Sequence, residues 1–144
     1  MKSAILGLAV LGAVAMPASA EDWHIYSRSQ LNAFMAQVDS IATMDDVTSM
    51  TVAQVPRQGA AGNLGHTTEL YQFRCAARQW RTAGQVEYGP NGAEMDRYPE
   101  DNAAWEPVRA QSIPEQLMGI ACEGARANPP TWPTIRAWID AGRP

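Results

Sequence analysis

Past its second residue the chain contains no lysine: Lys2 is the only one, and ten arginines stand against 15 acidic residues. That balance excludes the basic face needed to neutralise nucleic-acid phosphates. It also excludes a polybasic segment for an anionic membrane surface. Histidine is scarce too, with His24 and His66 far apart, so no paired-ligand spacing for a metal emerges. The two cysteines, Cys75 and Cys122, form neither Cys-x-x-Cys nor Cys-x-x-Cys-His, which excludes thioredoxin-type exchange and covalent haem attachment. Repeats and low-complexity tracts are missing. No apolar run reaches the ~20 residues of a membrane-crossing helix.

What is present begins with an export signal. Met1-Lys2 is positive, Ala4 to Met16 is a short apolar run, and Ala18-Ser19-Ala20 is a small-x-small cleavage site. Removing residues 1–20 from 144 leaves 124, enough for one domain with a modest core. The residue directly after the cut is Glu21 and not a cysteine, so no lipid anchor is expected. The destination is the periplasm or the medium. In such a compartment Cys75 and Cys122 read as one disulfide.

The central stretch is Glu69 to Trp80, where bulky and polar residues alternate with the period of a strand. It predicts a strand over residues 67–77, with Tyr71, Phe73, Cys75 and Ala77 facing the core and Leu70, Gln72, Arg74, Ala76 and Arg78 facing outward. Earlier strands are expected at residues 23–26, 33–38 and 47–55, the second closed by a turn at Asp39-Ser40. Residues 56–65, with three glycines and Pro56, read as a mobile connection. A continuation at 79–82 with a change of pairing, a bend at Ala83-Gly84, a short strand at 85–88 and a turn at 89–92 follow. Residues 94–104 read as irregular and Trp105 to Val108 as a last extended piece. Ser112-Ile113-Pro114-Glu115 fits a capping box, and Ile113, Leu117, Ile120 and Ala121 repeat at helical spacing before Gly124. Asn128-Pro129-Pro130 breaks the chain. A short helix over residues 132–141, capped by Thr131, would form a tail held less firmly than the rest.

Candidate chemistry is thin. His66 and Glu69 make an H-x-x-E pair, but strand geometry sends them to opposite faces. His24, Asp39 and Ser40 lack the strand-to-helix elbow of a hydrolase triad. Asp45-Asp46 lacks the remaining ligands of a calcium loop. Gly59, Gly62 and Gly65 do not open a helix and so do not cradle phosphate. We therefore expect no catalytic residues, no metal ligands and no cofactor. The outward pair Arg74 and Arg78, with Trp80 and Leu70 beside them, forms a candidate partner-binding face, because guanidinium pairs bidentately with carboxylates and stacks on rings. The competing reading is a solvated outer face whose arginines lie over apolar side chains. The tryptophans read as core anchors.

In order and spacing, Val38-Asp39-Ser40-Ile41, Phe73-Arg74-Cys75 running on to Arg78 and Trp80, Trp105-Glu106-Pro107-Val108, Ser112 at a helix start and Cys122 at its end resemble the surface-adhesin protein E family. The likeness covers residues 23–123 and leaves out the tail. It implies an α+β fold, an antiparallel sheet backed by a C-terminal helix, with Cys75 bonded to Cys122. It also implies a non-enzymatic binding domain, since family members are associated with host matrix and serum proteins at the cell surface. This chain departs from that pattern in having no lipid-attachment cysteine and, once the signal is removed, no lysine.

The organisation expected is a signal peptide (1–20), an adhesin E-like domain (21–127) and a Pro-rich break with a short helical tail (128–144). The function expected is that of an exported domain engaging a protein partner, with a homodimer left open. The alternative is a periplasmic inhibitor of a cell-wall hydrolase, inserting the glycine-containing loop at 59–65 or 89–92 into an enzyme cleft. An enzyme ranks last, for want of a nucleophile–base pair. Because the cysteines lie 47 positions apart, Cys75→Ser/Cys122→Ser should lose about 4 kcal/mol of stability in the chain-entropy model. The difference in urea unfolding midpoint between the variant and the oxidised protein measures it.

Overall fold

The middle strands of the sheet carry apolar side chains on both faces, and the rest of the chain is arranged to cover them. A computed structural model describes residues 20–144; the expected export signal, Ala20 excepted, lies outside the described residues. Seven strands follow in order: β1 (Trp23–Arg28), β2 (Asn32–Met44), β3 (Val47–Pro56), β4 (His66–Arg74), β5 (Gln79–Tyr88), β6 (Glu94–Pro99) and β7 (Glu106–Pro107). Two helices close the chain, α1 (Ile113–Glu123) and α2 (Ile135–Asp140). All pairings are antiparallel. The sheet runs β1-β2-β3-β4-β5-β6, and β7 pairs with the other end of β5.

On one face Ala36, Met50, Val52 and Phe73 pack beneath Leu117, Met118 and Ile120 of α1. On the opposite face Trp23, Ala33, Met35, Ala53 and Val55 pack with Leu64 and with Ile135, Trp138 and Ile139 of α2. The parity of β3 shows the division, with Met50 and Val52 in the first set and Ala53 and Val55 in the second. The helices also sit at opposite ends. α1 lies towards the β4–β5 turn, where Cys75 and Cys122 are bonded with their Cα atoms 5.8 Å apart. α2 lies towards the β3–β4 connection.

α1 starts as its sequence requires. Ser112 Oγ accepts from the Glu115 N–H at 3.2 Å, and Glu115 reaches back to the Gln111 N–H at 2.7 Å. Gly124 ends it in the left-handed region at φ 75°, a conformation glycine takes without a Cβ clash. The tail, in contrast, is more firmly docked than its composition suggests. α2 begins three residues later than expected and is capped by Thr134, whose hydroxyl accepts from the Ala137 N–H. Trp132 is not helical: it exchanges two backbone hydrogen bonds with Trp23 on the edge strand. Arg143, 9% exposed, donates to the carbonyls of Pro56, Ala60 and Asn63, so the tail also fixes the glycine-containing connection.

Four strand assignments in the middle of the chain depart from expectation. β2 does not turn at Asp39-Ser40 but runs on to Met44 through a register shift between Gln37 and Ala42. There Ser40 Oγ donates to the Gln37 carbonyl and accepts from the Thr51 N–H, satisfying groups that the bulge takes out of the ladder. β4 stops at Arg74, because Cys75 to Arg78 form a turn that lets Gln79 pair back onto Arg74. Residues 94–99, read as irregular, form the edge strand β6, every residue of which is exposed. β5 is one strand across Ala83-Gly84, where Gly84 lies at φ 143° and a Cβ would meet the Tyr98 carbonyl oxygen at 3.0 Å. Trp138→Ala should cost about 3–5 kcal/mol by opening the α2 core. Urea unfolding of that variant checks it, and a loss under about 1 kcal/mol would show that the tail is not part of the cooperative fold.

Candidate functional site

The turn at Cys75–Arg78 separates the two arginines that an unbroken strand would have aligned. Arg78 occupies the left-handed region of the turn at φ 50°, and its guanidinium lies 3.2 Å from Glu115 at the start of α1. Arg74 stays on the opposite face of the sheet, 3.3 Å from Asp46, with an Nε–H that is not aligned on any acceptor. The pairing expected of Arg74 and Arg78 on one strand face is thus corrected. Its place is taken by Arg74 and Arg81, whose guanidinium carbons lie 4.3 and 4.4 Å from the Trp105 ring centroid. Arg81 is aimed by Gln72 Oε1 at 2.8 Å and by the Ala103 carbonyl. Stacking of this kind contributes roughly 0.5–1 kcal/mol per contact at an exposed site and leaves guanidinium N–H groups free to donate outward.

The second feature lies on the α1 face, at the end that α1 leaves uncovered. A groove of about 390 Å³ is walled by Tyr26, Phe34, Tyr71, Trp80 and Ile113, with Val52 in its floor. Tyr71 and Trp80 are stacked with centroids 5.8 Å apart. Glu69 enters this groove because it has the parity of Tyr71 and Phe73 and pairs across to Gln85. Burial raises its carboxyl pKa above the ordinary 4.5, while the Tyr71 hydroxyl beside it acts in the opposite sense. Burial likewise raises the Tyr26 and Tyr71 phenols, and the nearby Glu69 charge adds to both shifts.

A third cavity, about 600 Å³, opens on the α2 face beside β6. His66 lies there, stacked on Tyr88 with centroids 4.4 Å apart and its Nδ1 2.7 Å from the Leu64 carbonyl. Burial lowers its pKa. His66 and Glu69 have opposite parity on β4, although Glu69 borders this cavity as well as the groove. His24 is buried. Its Nδ1 accepts from the Ala127 N–H, which puts the proton of the neutral ring on Nε2, 3.1 Å from Asp22 Oδ1. Asp39 accepts from the Asp22 N–H and Ser40 is held by backbone groups, so these three residues are not brought together as a triad. Among the described residues no three His, Cys, Asp or Glu side chains gather as metal ligands, and no helix is long and apolar enough to cross a membrane. The connection at 59–65 is held by Arg143, and Leu64 within it is buried in the α2 core.

Two groupings escaped sequence reasoning. Trp105 is distant in sequence from both arginines, so nothing local announced the stack. Glu69 was visible in principle, as an acid at a core-parity position of the most regular strand.

The family model described as Surface-adhesin protein E matches residues 23–123, from the first strand to the last residue of α1. No curated protein and no solved structure matches the chain.

The raised pKa of Glu69 sets a sign. The folded state holds its proton more tightly than the unfolded chain does, so that contribution is fully present below 4.5 and is lost as pH rises through the folded value. Glu69→Gln should therefore melt higher than the parent near neutral pH. The gap should close at or below 4.5, as thermal melts across that range would record.

Proposed function

The chain belongs to the surface-adhesin protein E family, and from that premise we propose that it is a non-enzymatic, exported binding domain whose partner is a protein. The observation that carries this reading is the half-buried pair of guanidinium groups lying over Trp105. Arginine and tryptophan are the side chains most enriched at the energetic centres of protein interfaces. Here they are already stacked, so less rotamer freedom is lost on docking. The partner surface that matches is acidic, with carboxylates able to take two parallel N–H donors from each guanidinium. Export follows from the N-terminal signal read in the sequence and from the family, and delivers the domain to the periplasm or the medium.

The test begins with in-cell cross-linking of the natural protein, identification of the cross-linked partner, and direct affinity measurement with both components purified. Arg74→Ala/Arg81→Ala should weaken binding by at least about tenfold, the cost of one interface anchor. Arg78→Ala, on the other side of the sheet, should leave it unchanged. Equal affinity of the double variant and the parent would remove this face, and a loss confined to Arg78→Ala would move the interface to the β4–β5 turn.

A further inference from the structure

We propose that the groove beside α1 is a binding site for a small organic cation, an ammonium or guanidinium group carried on an apolar or aromatic body. The inference does not depend on the protein-partner reading, because the groove lies on the opposite face from Arg74, Arg81 and Trp105. Three observations converge on it.

The first is shape. A volume of about 390 Å³ lies within the ~300–1,000 Å³ range of small-ligand pockets. A single basic side chain of a partner would fill only a fraction of it. One wall is the first turn of α1, Ile113 and Pro114, and that turn is fixed by the Ser112 cap, by the Arg78–Glu115 pair and, through the helix, by the disulfide. The site is thus formed before any ligand arrives.

The second is charge. Glu69 is the only acidic side chain lining the groove, and no cationic group pairs with it among the described residues. The nearby arginines are engaged elsewhere: Arg78 with Glu115, Arg74 with Asp46 and Trp105, Arg81 with Gln72 and Trp105. The Tyr71 hydroxyl beside it offsets only part of the cost of burial, and a half-buried carboxylate without a cationic partner is a standing cost that a bound cation relieves.

The third is the nature of the walls. Tyr26, Phe34, Tyr71 and Trp80 line the groove with aromatic rings, whose quadrupole attracts a cation and whose apolar surface receives an apolar body through desolvation. Gln54, Gln85 and Thr67 supply neutral hydrogen-bonding groups at the rim. A neutral ligand would use the rings but leave Glu69 unanswered. An anion would meet Glu69 head on.

The probes are phenethylammonium and its neutral near-isostere 2-phenylethanol, titrated into the full mature chain at low ionic strength. Calorimetry and amide chemical shifts are the readouts. The ammonium should bind at least about tenfold more tightly than the alcohol, with the largest shifts at Thr67, Glu69 and Gln85. In Glu69→Gln the preference should vanish while the affinity for the alcohol is unchanged. Equal affinity of the two probes, no binding of the ammonium, a preference that survives Glu69→Gln, or shifts centred on the α2 face would each overturn the proposal. Should Glu69→Gln fail to fold, the comparison of the two probes on the parent protein and the location of the shifts decide between these outcomes.

Discussion

A sheet that buries side chains on both faces must be covered twice, and in this protein neither cover is large enough for its face. An 11-residue helix is about 16 Å long and a six-residue helix about 9 Å, with diameters near 10 Å. The ten-residue strands beneath them extend about 33 Å. α1 therefore shields Met50 and Phe73 at one end of its face, and α2 shields Ala33 and Val55 at the other end of the opposite face. The staggered placement serves each apolar cluster in β2 and β3 once. It leaves two half-faces open, and the candidate sites occupy them.

Such small covers need fastening, since neither would hold its position by burial alone. α1 is bonded to the end of β4 through Cys75 and Cys122, and it carries caps at both ends. α2, barely two turns, is fastened from either side: Trp132 pairs with Trp23, and Arg143 binds three carbonyls of the β3–β4 connection. A buried guanidinium satisfied by carbonyl oxygens makes an uncommon anchor, because burying its charge is costly unless most N–H groups find acceptors. Its consequence is that residues 57–65, which carry loop composition, share the rigidity of the tail core.

The legible parts of the chain were those whose signals are local. Ser112, Glu115 and Gly124 marked both ends of α1, the β-branched run at 47–55 marked β3, and the cysteines had only each other to pair with in an exported chain. The missed parts are those decided by distant residues. Cys75 to Arg78 turn without a glycine, proline or asparagine because pairing of Gln79 with Arg74 and the pull of the disulfide set the geometry. Asp39-Ser40 have turn chemistry, yet Ser40 uses it to bridge two strands across a bulge. β6 has no apolar alternation because an edge strand exposed on every residue needs none, and only its hydrogen bonds to β5 define it. The sites were illegible for the same reason, since each joins residues separated by tens of positions.

The scarcity of lysine takes on a different meaning once these surfaces are seen. A basic segment of lysines attracts acidic partners through long-range charge, which salt screens within about 8–10 Å. Arg74 and Arg81 have a net-acidic chain around them, so the protein as a whole provides no such attraction. What they provide acts at contact: flat guanidinium groups held against Trp105, with donors in fixed directions. Lysine is a compact and strongly hydrated charge and cannot substitute in that geometry. An adhesin-family domain without lysine is therefore suited to short-range, orientation-dependent recognition, whose affinity should depend weakly on ionic strength and strongly on the Trp105 ring.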